Sequence, residues 1–393
     1  MTATIVGAGF AGLRSAMLLN RAGWSVRVVE ARSRIGGRAW TERFGTGEEY
    51  ESGAEWIDAD HYRVLRLLEE FGLTPAVEDL GPRRFSYLGE TIGEDEWPGF
   101  PTIEDQFFDG LSNAPTVRTL QDYVAKFPLS PRDRWRLTTE LMSDEGDSLD
   151  RIGFAEWRKT VALYEAREGG EVSAWRFPGG VTRILEAMAA TLPQPPETRV
   201  TVRRIDADGT VTTDEDTWQS DAVIVTPPPA VLASIELPVA MPALPMSRTV
   251  KLAIRYERAW WHPAGGRLQT DGPATQLWPA AGGIPVLIAY LYGDDAEATV
   301  QAEDPGARVR EGIESRLPES RGLWIEAKLI DWIHDPFALG GFSLRPPDLE
   351  FRLLPPAGRI HWAGEWTADW FGFVEGALES AERVTAEIAA RTA

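Results

Sequence analysis

Hydrophobic and polar positions change period twice within the first thirty residues. Thr4-Ile5-Val6 is a short apolar run, Phe10–Arg21 spaces Leu13, Ala16 and Met17 along one helical face, and Ser25–Glu30 returns as Val26, Val28 and Val29. Strand, helix and strand in so short a stretch predict a βαβ unit. His61–Phe71 places Val64, Leu65, Leu67 and Leu68 on one side with Gly72 as its stop, which predicts a second helix. From about Arg84 to Glu171 the chain turns to aromatics, acids and proline breaks, the character of an insertion with its own helices. Val200, Val202 and Ile205 then lead into Asp208-Gly209 and out through Val211, a predicted hairpin, and Ala222–Val225 is a further strand closed by three prolines. A second insertion, from roughly 238 to 348, contains the alternating segment Arg248–Tyr256. Arg359–Trp362 predicts a last strand, and Val374, Ala377, Leu378, Ala381, Val384 and Ile388 mark one face of a closing helix.

A chain of 393 residues is long enough for two cores. The pattern divides it into a discontinuous nucleotide-binding domain over 1–83, 172–237 and 349–393, and a second, α+β domain over 84–171 and 238–348. Sixty acids against 40 bases give a net charge of -20, which disfavours nucleic acids and anionic membranes as partners and favours cationic small molecules. The absence of cysteine excludes disulfides, thiolate metal ligands and a thioether link to any cofactor. The N-terminus runs directly into a glycine motif without room for a secretory signal, and the C-terminal helix is too charged for a membrane anchor. The expectation is a soluble, cytoplasmic protein without a metal site, with a homodimer left open.

Gly7, Gly9 and Gly12, with Phe10 and Ala11 between them, form G-x-G-x-x-G at the first strand-to-helix turn. Gly7 permits the tight turn, Gly9 lets backbone approach a pyrophosphate, and Gly12 allows close helix–strand packing. The helix N-terminus supplies free N–H groups and a positive dipole end for the phosphates. Glu30 ends the second strand, where it can accept bonds from ribose hydroxyls. The motif alone does not separate NAD from FAD. The continuation Ala31-Arg32 to Gly36-Gly37-Arg38 adds a second glycine pair beside a guanidinium, which suits a further pyrophosphate contact, although a surface loop with scattered arginines would read the same way.

At this point the chain resembles the flavin-dependent amine oxidases, the family of monoamine and polyamine oxidases. The resemblance spans the chain: Gly7–Gly12, Val29–Arg32 with Gly36-Gly37-Arg38, Glu51-Ser52-Gly53-Ala54-Glu55-Trp56-Ile57, Arg176–Gly180 with Leu185, Arg199–Val202, and finally Trp362–Glu365 with Gly372–Ala377. It implies a Rossmann-like α/β FAD domain of the GR2 type carrying an inserted α+β substrate domain. It also implies that Val202 meets FAD through its backbone, that Ala54, Glu55 and Trp56 lie near the flavin, and that Gly364 and Glu365 reach the ribityl–phosphate region. The closing helix would point its N-terminus, at Phe373 and Val374, toward the flavin, where its dipole favours the negative charge of the reduced ring.

The same resemblance gives Lys251 the role of holding a water against flavin N5 and assisting reaction with oxygen. The chain has only four lysines against 36 arginines, so a lysine amid alternating apolar residues suggests a need for a compact ammonium, although an edge-strand lysine that blocks aggregation would look alike. Phe342 and Phe373 match the paired rings that sandwich the amine, where tyrosine or tryptophan is more usual. Gly341 stands where animal monoamine oxidases carry a cysteine bonded to the flavin, so the FAD is expected to be non-covalent. Asp58 matches an acid that meets a distal ammonium in some polyamine oxidases, and Asp58 or Asp60 could equally cap the following helix. Between Phe85 and Val117 lie seven acids, Glu90, Glu94, Asp95, Glu96, Glu104, Asp105 and Asp109, and no Lys or Arg, which reads either as a substrate entrance or as a solvated face.

These features together predict an FAD-dependent amine oxidase that passes a hydride from the amine α-carbon to flavin N5, with the imine hydrolysed to aldehyde and oxygen reduced to hydrogen peroxide. Only four histidines, none in an evident acid–base pair, agree with chemistry that needs no strong protein base. An L-amino-acid oxidase, a desaturase or a porphyrinogen-type oxidase on the same scaffold is the nearest alternative, and a non-catalytic flavin-binding module the more distant one.

Overall fold

The computed structural model describes residues 1–77, 80–94, 96–97, 99–165, 175–261, 266–349 and 353–392. Asp95 and the expected domain junction at 171/172 lie outside these residues. The βαβ unit consists of β1 (Thr2–Val6), α1 (Phe10–Arg21) and β2 (Ser25–Glu30). Its strands sit inside a five-stranded parallel sheet in the order Glu197–Thr198, β2, β1, Ala222–Val225, Ile360–Trp362. Strand residues in such a sheet are covered on both faces. Accordingly Ile5, Val28, Val223, Ile224 and Ile360 are all buried.

On one side α1 packs against the terminal helix Val374–Thr392, burying Leu13, Leu378, Val384 and Ile388 in a common core. α2 (Tyr62–Glu70) joins the same core through Val64, Leu67 and Leu68. Neither Asp58 nor Asp60 caps it. The cap position is His61, without a side-chain cap bond, and the amides of Arg63 and Val64 donate instead to the carboxylate of Glu375 at 2.9 and 3.0 Å. Glu375 is fully buried and lies in the first turn of the terminal helix, so one acid serves the positive ends of two helices.

The other large element is a seven-stranded sheet in the order Trp324–Asp331, Thr249–Tyr256, Val286–Tyr292, Gln276–Pro279, Leu268–Thr270, Arg84–Tyr87, Glu90–Gly93. Its strands come from both insertions. The helix Pro131–Glu145 lies against it, fastened where the Tyr292 hydroxyl donates to the Thr139 carbonyl at 2.9 Å. The predicted hairpin is present as antiparallel Val202–Ile205 and Thr210–Thr213, with Gly209 in the left-handed region between them. Among the described residues no helix is long and apolar enough to cross a membrane.

Candidate active site

A cavity of about 1420 Å³ opens at the carboxyl ends of the parallel strands and continues over the face of the seven-stranded sheet. Ligands of open α/β sheets sit at this edge, where strand order reverses on either side of β1. Gly7, Gly9, Phe10, Ala11, Glu30 and Ala31 line it, as do Arg32, Gly36, Gly37, Arg38 and Val202. Gly12 does not. A Cβ there would stand 1.9 Å from the Gly7 carbonyl oxygen, so Gly12 serves the contact between helix and strand.

The glycine loop has room for a dinucleotide. A Cβ on Gly9 would find its nearest atom, the Gly36 oxygen, at 3.8 Å, and one on Gly37 would face the Gly9 Cα at 3.9 Å, which leaves a trough of bare backbone between the two glycines. No side chain caps the first turn of α1 and no acid stands in it, so its amides remain available for an anion. Glu30 is held in place by the amides of Ala8 and Arg32, at 2.9 and 2.8 Å. Arg32 pairs with Asp335 at 2.5 Å. Arg38 donates to Glu365 at 2.9 Å and to the Gly341 carbonyl at 3.1 Å, and Glu365 also accepts from the Ser343 hydroxyl at 2.8 Å and the Gly372 amide at 3.1 Å. Arg38 and Glu365 are 327 residues apart in the chain, and their pairing closes one wall of the cavity.

Ala54, Glu55, Trp56, Lys251, Gly364, Glu365, Phe373 and Val374 line the same space, together with Asp58 and Phe342. Lys251 lies on Thr249–Tyr256, the second strand of the sheet, paired on both sides. This removes the edge-strand reading. The side chain is 7% exposed, and its ammonium donates to the carbonyls of Gly53 at 2.8 Å and Glu51 at 3.3 Å and to Glu55 Oε2 at 3.1 Å. Glu55 in turn accepts from Trp278 Nε1 at 3.0 Å and pairs through its other oxygen with Arg176 at 3.0 Å. A buried carboxylate between two cations is compensated, as burial of charge requires. Glu51, behind it, has its pKa pushed up to about 7 by burial and by the charge of Glu55.

Gly341 brings the backbone hard against Thr249, whose Oγ1 would lie 2.0 Å from an added Cβ. This close approach places Phe342 beside Gly146 and Gly372. Phe373 packs against His61 and Trp370 at ring separations of 5.3 and 5.8 Å. Asp58 is buried, its amide bonded to His61 Nδ1 at 3.1 Å and its carboxylate accepting from the Tyr164 hydroxyl at 3.3 Å. The acidic stretch 85–117 divides. Glu94 and Glu104 line the cavity, Glu94 paired with Arg83 at 2.6 Å, whereas Glu90, Glu96, Asp105 and Asp109 are exposed and Phe85, Trp97, Phe100 and Phe107 form core.

Several cavity residues escape sequence reasoning. Tyr290, Gln276 and Gln269 stand in one cross-strand row with Lys251, which directs all four side chains to the same face of the sheet. Arg267 lies two residues before Gln269 in the chain, its guanidinium 4.9 Å from the Trp56 ring. Asp144 and Glu145 enter from the end of the helix Pro131–Glu145. Burial pushes their pKa values up, to about 8 and about 7, with neighbouring carboxylates adding to the effect at Asp144. Two adjacent acids just before Gly146 were the available signal.

Comparison with known proteins bears on the chain as a whole. The family model described as flavin containing amine oxidoreductase matches residues 10–389. An L-amino acid dehydrogenase from a Synechocystis strain is 26% identical, covering 96% of this chain and 92% of its own. The flavin-containing amine oxidase A of Sus scrofa is 24% identical, covering 98% of this chain and 84% of its own. The structure of cyclohexylamine oxidase from Brevibacterium oxydans superposes with a TM-score of 0.85 at 22% identity, over 100% of this chain and 99% of that one. A glycine trough and an arginine–glutamate clasp thus share one cavity with a buried lysine, within a match that runs nearly end to end, and the chain belongs to the flavin-containing amine oxidoreductase family.

Proposed function

We propose that the protein oxidises a small amine with molecular oxygen, converting R–CH2–NH2, O2 and water to aldehyde, ammonia and hydrogen peroxide. The observation that carries this is the continuity of the cavity from the glycine trough, past Lys251, to a wall of rings and acids. FAD, when bound, supplies the acceptor for the hydride leaving the amine α-carbon and passes the electron pair to oxygen.

The chain supplies the surroundings. Gly9, Gly37 and the amides of α1 hold the diphosphate, Glu30 the adenosine ribose, and Arg38 with Glu365 the stretch between. With no cysteine in the chain and glycine at 341, the cofactor is held non-covalently. The N-terminus of Val374–Thr392 stabilises negative charge on the ring. Phe342 and Phe373 flank the amine, and acids on the cavity wall draw the ammonium in before it loses its proton. All three N–H bonds of Lys251 already have acceptors, so a water held by this lysine takes the place of the longest, to the Glu51 carbonyl at 3.3 Å. The domain division follows from the same reading: 1–83, 172–237 and 349–393 carry the cofactor, and 84–171 with 238–348 the substrate.

The test is to purify the protein, record its flavin absorbance, and screen monoamines, diamines and amino acids for oxygen uptake with peroxide formation. Peroxide from amines supports the reading. A yellow protein inert to every amine refutes it. A second reading, a substrate bearing a carboxylate, is favoured by Arg267 on the cavity wall, and turnover of amino acids that is lost in Arg267→Ala would establish it.

A further inference from the structure

Gln219 and Gln301 lie in contact with water, yet their amides donate to the carboxylates of Asp208 and Glu297 at 3.0 and 3.1 Å. The two glutamines of the cavity behave differently. Gln269 is 3% exposed and Gln276 half-buried, and among the described residues neither side chain makes a hydrogen bond within the protein. An unpaired amide costs more the further it is withdrawn from solvent, so this pair has the more to lose. The two face each other across neighbouring strands, Gln269 opposite Gln276, and both line the cavity. Opposed amides at this spacing could bond to one another, and these leave that bond unmade.

Their place in the sheet gives them a reach. Strands lie about 4.8 Å apart, so Gln276 and Gln269 stand about 10 and about 14 Å across the sheet from Lys251, with Tyr290 between. Beyond the lysine this row carries no formal charge. Acids on the same wall are paired: Glu55 with Lys251 and Arg176, Glu94 with Arg83 at 2.6 Å, and Glu140 with Arg83 and Arg136, each at 3.2 Å. An alkyl end laid over this floor would leave both amides unpaired. An ammonium would give up its water and satisfy only the glutamine oxygens, since it has no acceptor for their N–H groups. A carboxamide offers N–H and C=O together and answers both. No bond holds the last torsion of Gln269, so its amide can turn to present either end.

Resting on the amine-oxidation reading, we infer that Gln269 and Gln276 form a subsite for an uncharged carboxamide at the far end of the substrate, so that the protein selects ω-amino amides over plain alkylamines and over diamines. The test uses the anaerobic, dithionite-reduced holoenzyme, in which turnover cannot occur, and measures binding of 6-aminohexanamide, n-hexylamine and 1,6-diaminohexane by calorimetry. The wild type is expected to bind the amide more tightly than hexylamine by a factor on the order of 10 to 100, the range of two uncharged hydrogen bonds, and more tightly than the diamine. Gln269→Leu removes both hydrogen-bonding ends at similar volume. It is expected to bring the amide-to-hexylamine ratio down about tenfold while thermal unfolding stays at or above wild type, because an unpaired buried amide has gone. Gln276→Leu, on the neighbouring strand, is expected to lower the ratio in the same direction. No measurable preference for the amide over hexylamine, tighter binding of the diamine than of the amide, or a ratio unchanged in both variants overturns the subsite whatever oxidation assays show. A glutamine-dependent preference for the amide in a protein whose oxidised flavin no amine can reduce supports the subsite and refutes the oxidation reading alone.

Discussion

Alanine at Gly9 separates what the cofactor needs from what the fold needs. The backbone there has φ −84° and ψ −172°, extended geometry open to any residue, and a Cβ would meet nothing closer than 3.8 Å. Reduced freedom of the unfolded chain would add about 0.4–1 kcal/mol of stability, and alanine's poorer performance at a helix cap would remove a similar amount. The protein without FAD is therefore expected to unfold within about 1 kcal/mol of wild type. Gly12→Ala is the contrast. Its Cβ would lie 1.9 Å from the Gly7 oxygen, backbone that cannot swing aside, so that variant is expected to lose about 1–3 kcal/mol or more without any cofactor present. For FAD the order reverses in cause. The Gly9 methyl fills the trough facing Gly37, and loss of one amide–phosphate hydrogen bond, about 1.5–3 kcal/mol, weakens binding roughly 10- to 150-fold. Thermal unfolding of the apoproteins and titration of FAD fluorescence measure the two quantities separately. Wild-type FAD affinity in Gly9→Ala, or apoprotein instability equal to that of Gly12→Ala, would refute the placement of the diphosphate over Gly9.

Glu375→Ala strips the buried partner from the amides of Arg63 and Val64 and from the Arg63 guanidinium, and a loss of about 2–3 kcal/mol is expected in chemical denaturation. Lys251→Met is expected to keep flavin reduction by amine while slowing reoxidation by oxygen about tenfold or more, which stopped-flow measurement of the two half-reactions resolves. Burial, and then the charges of Glu145, Glu140 and Asp58, opposed by Arg83, push the Asp144 carboxyl up from its ordinary 3.8 to about 8. A raised carboxyl pKa gives stability that is complete below about pH 4 and lost as pH rises to about 8. The melting temperature of Asp144→Asn relative to wild type should therefore climb across that window, and a flat difference would contradict it.

Elements written by local periodicity were legible from the sequence: β1, α1, β2, the hairpin at Asp208-Gly209 and the terminal helix begin and end within a residue or two of expectation. Each is fixed by apolar spacing and a glycine or proline stop, both local facts. Lys251 was legible as a strand residue but not as an interior one, because strand order depends on which insertions pair. The cap of α2 was illegible for the same reason, since Glu375 lies 312 residues from Arg63 and no local pattern predicts an acceptor so distant. The cavity's far wall was hardest. Asp144, Tyr290, Gln269 and Arg267 come from three separate stretches of the insertions, and only their meeting over one sheet face makes them a site.

The central claim is that one cavity brings a flavin and an amine into reacting contact. Anaerobic mixing of the purified, yellow holoenzyme with a panel of mono- and diamines tests it directly, with visible flavin absorbance as the readout. Bleaching by at least one amine, with the colour returning and peroxide appearing once oxygen is admitted, is the predicted result. Absorbance unchanged by every amine, in protein shown to contain FAD, would contradict it.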